Sequence, residues 1–178
     1  QYLSDIYKNK ILGTFFHEHM YHHSVTSLNN LFKSFNLNLF DVMRVNIQKG
    51  SIVGFVSKKN KFPISKRVSQ FLKREKRSGD TNFSKLNDFR KFISLQNKRC
   101  KKIMIRFKTQ IIGAYGSARS GPTLVSNFGI RDFLDFIFDD HHLKVGKYTS
   151  LNGIMVKPTK DLLKIKPAVC VILAYLHL

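Results

Sequence analysis

The feature that most constrains the fold is an apolar run that ends in glycine and is followed at once by a helix start. Gln110–Tyr115 has the composition of a buried strand, and the loop Gly116–Gly121 comes directly after it. Pro122 suits the first turn of a helix, and Gly129 suits its end. A strand, a loop and a helix in that order are typical of α/β proteins with a parallel sheet.

The same alternation continues towards the end of the chain. Short strands are predicted at Phe133–Phe138, Ile154–Val156 and Ala168–Leu173, with a short helix from Thr159 before the last of them. Residues 110–178 therefore predict a small, Rossmann-like, mostly parallel sheet. The apolar tail that includes the last strand is about half as long as a membrane span. We therefore expect a buried strand there and no membrane partner.

The first part of the chain predicts helices and a β-hairpin. Residues 2–9 suit a short helix, and Ser24 or Thr26 can cap a second helix over about Ser27–Phe35. Two β-rich runs separated by a glycine-containing turn then predict an antiparallel hairpin. These runs are Leu39–Val45 and Ser51–Val56.

The middle of the chain is predicted to be helical. Apolar residues at helical spacing indicate one helix that ends at Gly79, and Asp80 or Thr81 is expected to cap a second, longer helix. A recurrence of about seven residues predicts a single apolar stripe on that longer helix. The residues of this stripe are Leu86, Phe89, Ile93, Cys100, Ile103 and Phe107.

Composition divides the chain into three predicted parts. Residues 1–57 hold a His-rich catalytic-base segment, a helix and the hairpin, residues 58–109 form a basic helical connector, and residues 110–178 form the Rossmann-like subdomain. Residues 58–108 carry 18 of the 31 Lys and Arg residues, and the whole chain has a net charge of +20. Such a charge attracts polyanions. A general enrichment of the chain in Lys is the alternative explanation.

A basic nucleic-acid-binding protein is the alternative from another functional class. The Phe residues of the basic segment follow the apolar stripe, whereas stacking platforms for bases need exposed aromatics. No helix-turn-helix or RNA-binding signature accompanies them, which disfavours nucleic acid as the partner. Cys100 and Cys170 match no metal spacing, and there is no signal peptide, so we expect a cytoplasmic protein.

Residues 15–24 concentrate side chains that exchange protons near neutral pH. They include four of the seven histidines. The zinc-protease pattern needs a second His four residues after His17, where this chain has Tyr21, so no metal site is predicted. The adjacent Glu18 and His19 are better candidates, because a carboxylate that orients an imidazole is how a general base is built. Structural histidines in a loop are the alternative.

The loop Gly116–Gly121 is a candidate anion site. A strand–loop–helix turn aims backbone N–H groups and the positive end of the helix at an anion, and Arg119 adds a cation that can bind phosphate in a bidentate way. The glycines from Gly113 onward lack the spacing of the dinucleotide fingerprint, and the loop is not a P-loop. The phosphate of a nucleotide is predicted here, and a tight turn that needs glycine only for its geometry is the alternative.

Five blocks of the sequence together resemble a known family. The chain is similar, over essentially its whole length, to the C-terminal half of S-adenosylmethionine-dependent C-methyltransferases that act on nucleotide-linked keto sugars. The blocks occur in matching order and spacing. They are Phe16-His17-Glu18-His19-Met20-Tyr21, Ser27-Leu28, Gly50-Ser51, Ala114-Tyr115-Gly116-Ser117 and Asp139 followed by Lys144-x-Gly146-x-Tyr148.

The resemblance implies a general base and a set of substrate contacts. His19 is then the base that removes the proton on the carbon next to the sugar ketone, Glu18 orients or polarises it, and His17 belongs to the same catalytic block. The enolate carbon attacks the methyl group of S-adenosylmethionine, which a preceding domain of the family binds. The residues implied in binding the nucleotide-diphosphate sugar are Tyr21, Tyr115, Gly116, Ser117, Arg119, Ser120, Gly121, Thr123 and Lys144.

The chain also departs from the family pattern. Phe16 stands where the family usually has a tyrosine, and Gln48-Lys49 stand where it has His-Gly. No glycine-rich methyltransferase loop is present, so we expect a truncated part of an enzyme that is inactive alone. Its expected partner is the N-terminal methyltransferase domain, either fused or separate. A non-catalytic remnant of the family is a further alternative.

Overall fold

The computed structural model describes residues 1–16, 18–150 and 153–174. His17, one of the predicted catalytic residues, lies outside the described residues. The chain divides into two compact units, one of Gln1–Leu12 with His19–Arg90 and the other of Gly13–Glu18 with Lys91–Leu178. The predicted α/β class is confirmed, with a helix, an antiparallel hairpin, further helices and a four-stranded parallel sheet.

The first unit contains the predicted helices and hairpin. The short helix over residues 2–9 and the helix that ends at Gly79 are both confirmed, and Gly79 ends the latter with a left-handed φ of 66°. The elements, in chain order, are α1 (Leu3–Asn9), α2 (Val25–Ser34), β1 (Leu37–Val45), β2 (Ser51–Lys58), α3 (Lys66–Ser78) and the beginning of α4 (Phe83–Ile105).

A bulge in the hairpin allows β1 to face the core twice. β1 and β2 pair antiparallel, and their register shifts between Leu39 and Asp41. Residues three apart in a regular strand point to opposite faces, but the extra residue places both Leu39 and Val42 in the core. Their core partners include Tyr2, which is also fully buried.

A buried carboxylate on α3 holds the start of α2. Glu75 is fully buried and accepts the N–H groups of Val25 and Thr26 at 2.7 and 2.8 Å, together with the Thr26 hydroxyl at 2.5 Å. Of the two candidate caps for α2, Ser24 is used, since its hydroxyl accepts the Ser27 N–H at 2.9 Å. Glu75 satisfies the remaining first-turn donors, and its charge lies at the positive end of the helix.

Two predictions about α4 differ from the structure. The helix begins at Phe83, so neither Asp80 nor Thr81 directly precedes it; a turn closed by the Asn82 N–H on the Gly79 carbonyl comes first. The apolar stripe is confirmed only in part. Of its predicted members, Phe89 is buried, whereas Leu86 and Ile103 are exposed. Met104, which was not predicted to belong to it, is buried.

The second unit is built on the predicted parallel sheet. Its four strands are ordered β5-β4-β3-β6, and every neighbouring pair is parallel. The strand order reverses between β3 and β6, and ligands of such sheets bind near the carboxyl ends of the strands around that point. The elements are β3 (Ile112–Tyr115), α5 (Gly121–Phe128), β4 (Phe136–Phe138), β5 (Met155–Lys157), α6 (Leu162–Ile165) and β6 (Val169–Ile172).

Two strands of this sheet differ from prediction. The strand predicted from Phe133 begins only at Phe136, because the Phe133 N–H donates to the Ile130 carbonyl and forms a short 3-10 turn. The last strand was expected to be buried, but β6 is only partly covered, and Ile172 is 45% exposed. Within the described residues β6 pairs with β3 alone, so it lies at the edge of the sheet.

One glycine in β3 allows a close side-chain contact. A Cβ atom at Gly113 would lie 2.6 Å from the Phe138 ring, which is closer than such atoms approach. Phe138 is fully buried in β4 and forms part of the core of the unit. Gly113 therefore has a packing role in the middle of the sheet rather than a ligand-binding one.

Glu75 provides a direct test of the architecture of the first unit. Glu75→Gln keeps the shape of the side chain but replaces one buried acceptor by an N–H₂ group that faces donors. We expect the free energy of unfolding to fall by about 1.5–3 kcal/mol, the range for hydrogen bonds to charged groups. Urea denaturation measures this loss, with Asp88→Asn on the exposed surface of α4 as the charge-matched control. Equal stability of the two variants would contradict the role given to Glu75.

Candidate functional site

A cleft opens at the carboxyl ends of β3 and β4. Its volume is about 500 Å³, within the usual range for small-molecule sites. The loops that follow the two strands supply most of its wall, at the edge of the sheet where parallel strands end. The lining residues are Phe16, Ser117, Ala118, Arg119, Pro122, Thr123, Leu143, Lys144, Lys147, Tyr148, Thr149, Ser150 and Val156.

Asp139 and Lys144 join the two loops that form the cleft. The Ser117 N–H donates to the Asp139 carboxylate at 2.7 Å, and the Lys144 ammonium donates to the Ser117 carbonyl at 2.7 Å. The ammonium also lies 3.6 Å from the Asp139 carboxylate. Lys144, predicted as a substrate contact, therefore lines the cleft and at the same time stabilises its wall.

The environment of Asp139 favours its ionised form. Partial burial acts to raise the pKa of this carboxyl. The N–H groups of His141 and Ser117 and the nearby Lys144 ammonium outweigh burial and hold the pKa below its ordinary value. A carboxylate with these donors is a fixed negative charge of the loop at neutral pH.

Arg119 is paired with Glu18 inside the second unit. Its Nη1 donates to Glu18 Oε2 at 2.5 Å, although the two residues are 101 positions apart in sequence. The side chains are 70% and 47% exposed, respectively. One predicted substrate contact and one predicted catalytic residue are thus brought into direct contact.

The other predicted loop residues divide between the cleft and its surroundings. Thr123 lines the cleft in the first turn of α5, which Gly121 begins and the buried Ser120 directly precedes. Tyr115 and Gly116 line a neighbouring recess with Asp139, Asp140, His141, Ile172 and Ala174. Gly116 has a φ of 87°, and a Cβ there would lie 2.4 Å from Ala174, so this glycine is required by geometry.

The predicted base His19 and the predicted contact Tyr21 lie in the first unit. His19 is half-buried, and its ring meets that of His22 edge-on at 6.3 Å, whereas Tyr21 is exposed and stacks on His23. Burial, followed by the positive charges of the N-terminus and the two neighbouring histidines, lowers the pKa of His22. His22 is therefore neutral near pH 7.

Sequence reasoning missed Lys147 as a member of the site and predicted no contact for Asp139. Asp139 belongs to one of the blocks that resemble the family, and it directly follows a strand of the parallel sheet. Lys147 lines the cleft, and the bonds of its own N–H to Lys144 and of the Val156 N–H to its carbonyl fix its backbone. No local pattern marked it among the many other lysines.

Comparison with known proteins identifies the family. The family described as "C-methyltransferase C-terminal domain" matches residues 46–178. The chain belongs to this family. The C-methyltransferase NovU from Streptomyces niveus is 27% identical over 150 residues, which cover 82% of this chain and 36% of NovU. The chain thus spans about a third of the length of this curated relative.

In this C-methyltransferase C-terminal domain, the loop after β3 has no free N–H group at its first two positions to offer to S-adenosylmethionine or to another ligand. The loop after β3 is where a Rossmann-like sheet would hold a cofactor. Its first two N–H groups are already used, since Gly116 donates to the Phe138 carbonyl and Ser117 to Asp139.

Two further properties concern the described residues of the domain. None of its described helices is long and apolar enough to cross a bilayer. Among residues 1–16, 18–150 and 153–174, no group of three or more His, Cys, Asp or Glu side chains is placed to hold a metal ion.

The role of Asp139 gives a pH-dependent prediction. A lowered carboxyl pKa stabilises the folded state above the ordinary pKa of about 4, and this contribution is lost as pH falls through the lower, folded-state value. Asp139→Asn removes this dependence and leaves one N–H donor without its acceptor, at a cost of about 1–3 kcal/mol at pH 7. Thermal unfolding between pH 2 and 7 measures both effects, with Asp132→Asn as the control. An unchanged pH profile in Asp139→Asn would rule out this role.

Proposed function

We propose that this domain binds a nucleotide-diphosphate keto sugar and supplies the general base of a C-methyltransferase. S-adenosylmethionine is assigned to a methyltransferase domain, fused or separate, with which this domain would act. The family assignment supports the reaction class. The observation that carries the substrate proposal is the cleft at the carboxyl edge of the sheet, where three cationic side chains face one space: Arg119, Lys144 and Lys147.

The composition of the cleft suits a sugar diphosphate. Arg and Lys side chains neutralise phosphate charge, and Arg can bind two phosphate oxygens at once. Thr123 and Ser150 offer hydroxyl groups for a sugar, and the exposed ring of Tyr148 offers a flat apolar surface for a sugar or base. Phe16 lines the same cleft, so an apolar ring stands where the family pattern has a hydroxyl.

We assign the base to His19. An imidazole accepts protons near neutral pH, so His19 can take the proton from the carbon next to the sugar ketone and leave an enolate. The neighbouring His22 is neutral near pH 7 because its pKa is lowered. A neutral neighbour does not oppose the positive charge that His19 gains. Glu18 is the adjacent carboxylate that we assign to orient the base.

Binding of a polyanion to the basic surface is the competing function. The outer face of α3 carries Lys73, Arg74 and Arg77 around a shallow recess, and a net charge of +20 favours association with nucleic acid. Binding of that kind weakens steeply as salt is raised. Recognition of a nucleotide sugar in a shaped cleft depends on the base and the sugar and less steeply on salt.

A thermal-shift titration tests the two functions against each other. The ligands are dTDP, UDP, GDP, their sugar conjugates and a short DNA duplex, each at two salt concentrations. A ligand at 100 times its Kd stabilises the fold by about 2.7 kcal/mol, which corresponds to about 5–10 °C for a chain of this size. We expect a base-selective shift that persists at the higher salt. A shift from DNA alone, lost as salt rises, would overturn the proposal.

The base assignment is tested by proton exchange, which needs no methyl donor. The NMR signal of the proton next to the ketone of a bound keto-sugar nucleotide should disappear in D₂O as the domain exchanges it. His19→Ala should slow this exchange by about 100-fold or more, the usual contribution of a general base. His142→Ala, in an exposed position of the other unit, is the control. Exchange at the original rate in His19→Ala would show that another residue is the base.

A further inference from the structure

The contact between Arg119 and Glu18 places an anion where a phosphate is expected. Arg119 lines the cleft, and its Nη1 donates to Glu18 Oε2 at 2.5 Å. The guanidinium fork fits a carboxylate and a phosphate by the same geometry. The Glu18 carboxylate is therefore bound to the guanidinium group that the diphosphate of a substrate would use.

Lys144, a second cation of the cleft, is held more firmly than Arg119. Lys144 is held by the Ser117 carbonyl at 2.7 Å and by Asp139 at 3.6 Å, and its side chain is 39% exposed. Its removal from these partners would open the loop. Arg119 is 70% exposed, its contact with Glu18 is open to solvent, and exposed ion pairs of this kind contribute little to stability. The guanidinium can therefore change partners at low cost.

We propose that Glu18 is an internal competitor for Arg119, which a phosphate group displaces when it enters the cleft. The proposal rests on the proposed function, because it assumes that the cleft binds phosphate. Competition from Glu18 lowers the apparent affinity of the cleft for phosphate. The carboxylate that we assign to orient the base thus leaves Arg119 when substrate binds.

The test uses inorganic pyrophosphate as the probe and isothermal titration calorimetry at low salt. Four proteins are compared: wild type, Glu18→Gln, Arg119→Gln and the double variant. Removal of the competitor in Glu18→Gln should tighten pyrophosphate binding by about two- to fivefold, as expected for loss of an exposed ion pair. Arg119→Gln should weaken binding, and in its presence Glu18→Gln should have no further effect.

A matched control separates competition from a general change in net charge. Asp132→Asn removes one exposed carboxylate in the turn before β4, away from the carboxyl edge. Circular dichroism melts confirm that each variant is folded. As a second readout, the ¹³C signal of the Glu18 carboxyl should move when pyrophosphate is added to wild type and should stay in place in Arg119→Gln.

Each outcome decides the proposal. Tighter binding in Glu18→Gln alone, with the carboxyl shift, supports it. If Glu18→Gln behaves like Asp132→Asn or binds more weakly, competition is wrong while the phosphate site remains. If Arg119→Gln binds as well as wild type, Arg119 is not a phosphate ligand and the proposal fails. If no protein of the set binds pyrophosphate, the proposed function fails together with it.

Discussion

The ion-paired carboxylate of Asp139 is the constraint on which the candidate site depends. Asp139 lies directly after β4, yet it fixes the loop after β3 by accepting the Ser117 N–H. Lys144, which follows Asp139 in the loop after β4, adds a second contact by donating to the Ser117 carbonyl. These contacts join the loop after β3 to the loop after β4, and their loss would leave the two walls of the cleft unconnected at this point. The parallel sheet determines where the cleft lies, and the contacts of Asp139 hold the loops that form its walls.

Glu75 plays a comparable part in the first unit. In both places an acidic side chain satisfies backbone N–H groups of a distant segment, at the start of α2 in one case and in the loop after β3 in the other. The chain has only 11 acidic residues against 31 basic ones. Several of these acids are therefore committed to internal contacts, and the positive charge remains on the surface.

The sequence predicted the regular elements well because their signals are local. Apolar runs, a glycine at the end of a helix and a hairpin turn each leave a pattern within a few residues, and the parallel sheet followed from their alternation. The first residue of α4 was wrong because the chain forms a turn at Gly79–Asn82 before the helix. Its buried positions were only partly predicted, because burial along a helix depends on which distant segments pack against it.

The contacts that define the site could not be read from the sequence in the same way. Glu18 and Arg119 are 101 positions apart, and Glu75 lies 50 positions from Val25. Pairing of charged side chains over such distances leaves no periodicity and depends on the folded path of the chain. The family resemblance predicted functional roles for Glu18 and Arg119, but it did not indicate that the two side chains are in contact.

The edge strand β6 has a consequence for how this domain behaves in isolation. Its residues, Val169–Ile172, are uncharged, mostly β-branched and only partly covered, and within the described residues one side of the strand is left without a neighbour. Such an edge is a template for the strand of another molecule. At low ionic strength, charge repulsion between the highly basic copies opposes such strand addition. Added salt screens this repulsion, so we expect intermolecular strand addition to increase with salt concentration.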